Sequence, residues 1–201
     1  MNTEEIIRII DREIKQLWKT DIEQDYANCM LLKEDSLKNA FYHHLRTRLT
    51  DDFLIKNQIR IYTEFNSGEL KGTGKRADIA IVRMKNDDEG YEKHLSEETD
   101  EILAIIELKH KYGYGKVIDD IYKDLNKVKE YIQKHKLECQ FYLGIIHEEV
   151  WDKKNWLDER SIKHWPQGKL TELVASRNVE SDMQFDVYAY NGINEVLNDY
   201  K

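Results

Sequence analysis

Two carboxylates and a lysine, set at the ends of apolar runs, are the residues of this 201-residue chain whose types and spacing best suit chemistry. The run Ile102–Lys109, Ile-Leu-Ala-Ile-Ile-Glu-Leu-Lys, is aliphatic and partly β-branched, holds no Pro or Gly, and is bounded by turn-rich sequence. That is the pattern of a buried β-strand. Its far end carries Glu107 and Lys109, and residues two apart on a strand share a face. A second apolar strand, Ala77–Val82, opens with Asp78. Ionisable groups in such places are costly unless they are paired or hold a metal. Two uncompensated acids converging there would repel.

Carboxylate pairs of this kind bind Mg2+ or Mn2+, hard cations that choose oxygen ligands. Such an ion makes a water nucleophilic near neutral pH and stabilises a developing oxyanion, the two needs of phosphodiester hydrolysis. Lys109 is placed to orient or deprotonate that water and to neutralise charge in the transition state. A plainer reading fits the same residues: Asp78 as a turn residue, and Glu107 with Lys109 as a surface ion pair.

Over about residues 33–146 the predicted order is helix, strand, Asp-bearing strand, Glu-x-Lys strand, helix, strand. This order, with Ala77-Asp78 followed by Glu107-Leu108-Lys109, resembles the PD-(D/E)XK nuclease superfamily, the restriction-endonuclease-like fold. Ala77 departs from it, standing where the family name has Pro; that position shapes backbone and carries no chemistry. The resemblance implies an α/β fold with a mixed central β-sheet flanked by helices, and a Mg2+- or Mn2+-dependent nuclease acting on DNA rather than RNA. It assigns Asp78, Glu107 and Lys109 to catalysis, and Asp78, Glu107 and the peptide carbonyl of Leu108 to the metal. Members of the family often place another metal-facing acid where Glu34 stands, just before a helix; an ordinary first-turn acid is the other reading. Glu64, on the polar face of the strand before Asp78, is a further candidate ligand or else a solvated strand acid. The same fold can also serve as a catalytically inactive binding or assembly module, and a homodimer or a protein partner is compatible with the chain.

The elements that must position these residues follow from periodicity. Thr3–Thr20 reads as an amphipathic helix with Ile6, Ile10, Leu17 and Trp18 on one stripe. Asp21–Leu32 is either irregular or a short helix. A helix capped by Asp35 or Ser36 buries Leu37, Phe41, Leu45 and Leu49, and its adjacent His43 and His44 point in different directions, which speaks against a joint metal site. Gln58–Phe65 alternates, with Ile59, Ile61, Thr63 and Phe65 on one side. Val117–Lys134 is an amphipathic helix on which Asp120 and Lys123 are candidates to flank the site, or a solvated face. Cys139–Ile146 and Met183–Tyr190 read as strands, Lys169–Ala175 as a short helix, and Ile193–Leu197 as the start of a terminal helix. Trp151, Trp156 and Trp165 suit either stacking on unpaired bases or filling a core.

Composition sets the outer bounds. The length suits one domain of 201 residues, with the helix 3–20 and residues 147–201 elaborating the 33–146 core. No apolar run approaches the roughly 18–20 residues that span a bilayer, and the N-terminus lacks a signal-peptide shape, so a cytoplasmic protein without membrane contact is expected. Two cysteines, Cys29 and Cys139, in no metal spacing, read as reduced structural thiols. The net charge of −8 at first speaks against a nucleic-acid partner, but residues 86–101 hold eight acids against one base. Without that segment the chain is close to neutral, so an exposed acidic loop, not the whole surface, carries the imbalance.

Overall fold

The computed structural model describes residues 1–66, 70, 74–85, 99–112, 116–150, 155–157, 169–177 and 182–190. Among them, six strands form one mixed sheet in chain order: β1 (Ile59–Phe65), β2 (Ala77–Met84), β3 (Thr99–Lys111), β4 (Gln140–Val150), β5 (Leu170–Arg177) and β6 (Gln184–Ala189). β1, β2 and β3 run antiparallel to one another, β3, β4 and β5 run parallel, and β6 returns antiparallel to β5. Strands β3 and β4 are buried on both faces over most of their length, as parallel strands covered on both sides must be.

One face is covered by α1 (Thr3–Leu17), α2 (Glu23–Ala27), α3 (Glu34–Leu49) and α4 (Asp51–Lys56), the other by α5 (Lys116–Gln133). The mixed sheet between helices is the α/β class that the apolar pattern implies. α1 starts at a capping box, in which Asn2 Oδ1 accepts from the Glu5 N–H and the Glu5 carboxylate accepts from the Asn2 N–H. It buries Ile6, Ile10, Ile14 and Leu17, then passes through a π-helical turn, Trp18–Ile22, that sinks Trp18 and Ile22 into the same layer. Helical structure therefore runs through Asp21 and on into α2. α3 begins at Glu34, ahead of the predicted caps, because Ser36 Oγ reaches back to accept from the Leu32 and Lys33 N–H groups at 2.8 and 2.9 Å. Its Leu37, Phe41, Leu45 and Leu49 stripe is buried as the four-residue spacing requires.

Three expectations are corrected. Residues 170–177 form a strand, not a short helix. Glu172 misleads the periodicity: it looks like a polar helix face, yet it is fully buried, accepting from the Trp156 and Leu157 N–H groups and from the Tyr190 hydroxyl. Phe65 leaves the Ile59 and Ile61 face for the α5 layer, because Glu64 adopts φ +51° and breaks the strand's alternation. Cys29 is an exposed free thiol instead of a structural one, while Cys139 is buried. Trp156 fills the α5-side core. Trp151, Trp165, most of the acidic segment and the expected terminal helix lie outside the described residues. Among those described, no helix is long and apolar enough to cross a membrane.

Gly144 ties this fold to β3. It pairs with Leu108 across the β3–β4 ladder, and a Cβ on it would lie 2.5 Å from Leu108 Cδ2 and 3.4 Å from the Trp18 ring. Leu108 and Trp18 are both fully buried, so neither has free space to retreat into. Gly144→Ala is expected to cost about 1–3 kcal/mol, the usual range for an overpacked core. Chemical denaturation checks this; wild-type stability would mean that Leu108 is not clamped.

Candidate active site

The site lies on the α5 face of the sheet. β2 and β3 pair antiparallel with Ile79 opposite Ile106, which sets Asp78 across from Glu107. Asp78 Oδ2 accepts from the Leu108 N–H at 2.8 Å, so the acid of one strand pins the peptide between Glu107 and Lys109. Its other oxygen lies 3.0 Å from Lys38 Nζ. Lys38 stands one turn into α3 and also pairs with Glu64, which Arg76 approaches at 3.6 Å. The left-handed backbone of Glu64 is an unusual state for a non-glycine residue, and here its carboxylate shares a lysine with Asp78.

Glu107 is sealed, with 2% of its surface exposed. Its Oε2 accepts from Lys127 Nζ at 2.6 Å, while Oε1 is buried with no hydrogen-bond partner among the described residues. Burial, outweighing the attraction of Lys127 and reinforced by the nearby Asp78 charge, pushes the Glu107 carboxyl up to about 8. Lys109 does not pair with its strand neighbour Glu107, as a surface ion pair would. Its ammonium lies 2.9 Å from Glu34 Oε2 and 3.0 Å from Asp124 Oδ2. Burial opposes the charged form of Lys109, but those two carboxylates prevail and hold it above the ordinary lysine range.

The structure thus brings Glu34, Glu64, Asp78, Glu107, Leu108 and Lys109 into one connected cluster. Asp78 and Glu107 repel each other, as expected, but each also has a lysine beside it, Lys38 (shared with Glu64) and Lys127, so the repulsion is offset in part. Those lysines, Lys38 and Lys127, and the acid Asp124 are site residues that the sequence pattern does not single out. Asp120 and Lys123, the expected flanking residues, pair with each other at 2.7 Å, and Asp120 also lies 3.4 Å from Lys111 of β3. The detectable signal is a polar stripe along α5, Asp120, Asp124, Lys127 and Tyr131, at helical spacing beside the buried Ile121, Leu125, Val128 and Ile132. His43 and His44 lie elsewhere: His44 pairs with Asp25 at 2.8 Å and His43 is exposed.

As the side chains stand, among the described residues no three carboxylates, imidazoles or thiols converge as a ready metal cage. The donor set is nonetheless one of hard oxygens. Counted at full ionisation, the five acids Glu34, Glu64, Asp78, Glu107 and Asp124 exceed the four bases Lys38, Arg76, Lys109 and Lys127 by one negative charge. A small cavity lies at the same place, lined by Glu107, Leu108, Lys109 and Asp124 together with Ile121, Leu143 and Ile145. The unpartnered Glu107 oxygen, the charge deficit and the cavity together fit a divalent cation.

Glu107 supplies a pH test. Between about 4.5 and about 8 it keeps a proton in the folded chain that the unfolded chain has released. The folded state therefore loses stability as pH rises through that window. Glu172, which burial pushes up to about 7, adds a slope of the same sign, so the comparison must be with a variant that leaves Glu172 in place. In EDTA, Glu107→Gln is expected to gain melting temperature on wild type steadily from about pH 5 to about pH 8. Parallel curves would show that Lys127 compensates the carboxylate in full.

Comparisons of the chain with protein-family models, with curated proteins and with solved structures returned no match.

Proposed function

We propose that this protein is a Mg2+- or Mn2+-dependent nuclease that hydrolyses phosphodiester bonds, in DNA rather than RNA. The observation that carries the reading is the junction of β2 with β3. There Asp78 holds the Leu108 peptide, and Glu107 and Lys109 emerge on the same face, with Glu34 brought onto Lys109 from the first residue of α3. Apart from the short α4 between α3 and β1, the order of α3, β1, the Asp78 strand, the Glu107 strand, α5 and β4 is the one that the resemblance to the PD-(D/E)XK superfamily implies.

Asp78, Glu107 and the Leu108 carbonyl would hold the metal, with Glu34 facing it. When bound, the ion would supply Lewis-acid activation of a water and positive charge for the developing oxyanion. Lys109 serves as a donor and a positive charge. Glu34 and Asp124 hold it above the ordinary lysine range, which favours orientation and electrostatic stabilisation. Glu34 is far more open to water than Glu107, with 32% of its side chain exposed. Tyr131, whose buried hydroxyl has no hydrogen-bond partner among the described residues, contributes to the low-polarity wall that raises the cost of unpaired charge near Glu107.

Incubating supercoiled plasmid and single-stranded oligonucleotides with the protein in Mg2+, Mn2+ or EDTA tests the reading. Cutting is expected in metal and absent in EDTA. Lys109→Ala is expected to lower turnover by roughly 10²-fold or more, the scale of a lost electrostatic group, while the variant still binds Mn2+. Cutting by the purified variant at the wild-type rate would remove Lys109 from the mechanism. No cutting by wild type under any metal condition, with a stable protein partner recovered, would favour the assembly module instead.

A further inference from the structure

Lys127 is not placed as an incidental surface lysine. Its side chain is 19% exposed and that of Glu107 2%, so the pair is closed off from water, where charge-assisted hydrogen bonds are strongest. α5 also has little freedom to move the ammonium away. Along the helix, Asp120, Asp124 and Lys127 meet Lys111, Lys109 and Glu107 of β3 at 3.4, 3.0 and 2.6 Å. The two elements run past each other with matched charges, and a slip of one helical turn would set Asp124 against Glu107. This ladder aims Lys127 at the carboxylate that would have to give its oxygens to a metal.

We propose that the Lys127 ammonium is a built-in competitor for the divalent ion at Glu107, so that metal enters the site only by displacing it. This rests on reading Glu107 as a metal ligand. The geometry allows the exchange. Among the described residues Glu107 keeps one oxygen without a partner, and Glu107 and Asp124 both line a cavity of about 10 Å³, which is about the space of one water-sized body. A divalent ion carries twice the charge of the ammonium and attracts the carboxylate correspondingly more strongly at equal distance. The displaced lysine has somewhere to go: its side chain is partly exposed, so the ammonium can turn outward to solvent. Lys38 does not play the same part, because it is shared between Asp78 and Glu64 and so remains paired if Asp78 turns to a metal. The consequence is regulatory. Metal affinity is set by the strength of the internal contact between Lys127 and Glu107.

Amine labelling of the full chain, read by mass spectrometry with and without Mn2+, tests this directly. Lys123, on the same helix with 74% of its side chain exposed, is the internal reference. Saturating Mn2+ is expected to raise labelling of Lys127 several-fold and to leave Lys123 unchanged. In parallel, a thermal-shift titration compares wild type with Lys127→Gln, which keeps a donor but no charge; its Mn2+ midpoint is expected to fall roughly tenfold or more, the scale of a lost charge-assisted bond. A Mn2+ response seen in the Gln variant alone would also support the competition, as the limit in which the lysine excludes the metal. A Mn2+ response in wild type with Lys127 labelling unchanged would overturn the proposal while leaving the metal site intact. No Mn2+ response in either protein would overturn the metal reading, and the competition with it.

Discussion

Glu107 puts a carboxylate where almost no water reaches, in the middle of a sheet, and the rest of the site is arranged around that cost. Leaving such a group unpaired costs more than a typical hydrogen bond returns. Lys127 meets one oxygen and the other has no partner among the described residues, so the compensation is partial. The partner must come from α5, which makes the docking register of that helix a condition for burying the acid at all. The charge ladder between α5 and β3 meets the condition with pairs that are modest individually but incompatible with any neighbouring register. Ile121, Leu125, Val128 and Ile132 supply the apolar side of the same contact, so hydrophobic burial drives docking and charge selects its register.

β3 is held just as tightly from its other face. Leu108 sends its side chain into the layer of Trp18, Phe41 and Tyr142, where Gly144 leaves it room, while its N–H is bound by Asp78. The residue whose carbonyl is offered to a metal is thus fixed by a core contact below and, through its N–H, by a carboxylate beside it. Preorganisation of this kind lets catalytic groups act without reorganising at the moment of reaction. It also explains why an α1–α3 layer with no carboxylate of its own except Glu34 in the cluster matters to the chemistry, since that layer sets where Leu108 sits.

Much of this is legible in the chain. Apolar runs and strand alternation locate Asp78, Glu107 and Lys109, because one-dimensional spacing dictates which side chains share a face. Glu34 and Glu64 are legible as candidates only. Their role depends on Lys109 and Lys38 crossing between elements, which no local pattern contains. Lys38, Asp124 and Lys127 escape notice for the same reason: a charged residue on an amphipathic helix looks solvated until the docked register is known. Glu172 hides β5, since a buried acid held by two peptide N–H groups and a tyrosine hydroxyl breaks the rule that polar residues mark an exposed face. Phe65 changes sides because Glu64 takes a left-handed backbone that its residue type does not announce.

Whether Asp78, Glu107 and the Leu108 carbonyl form a metal site decides the chemistry proposed for this chain. Anomalous diffraction from crystals soaked in Mn2+, recorded for wild type and for Asp78→Asn, tests it most directly. A manganese peak is expected within coordination distance of all three groups, about 2–2.5 Å for hard oxygen ligands, with that peak lost or weakened in the variant. A well-ordered wild-type site with Lys127 still on Glu107 and no peak at saturating Mn2+, or a peak bound by other residues, would contradict it.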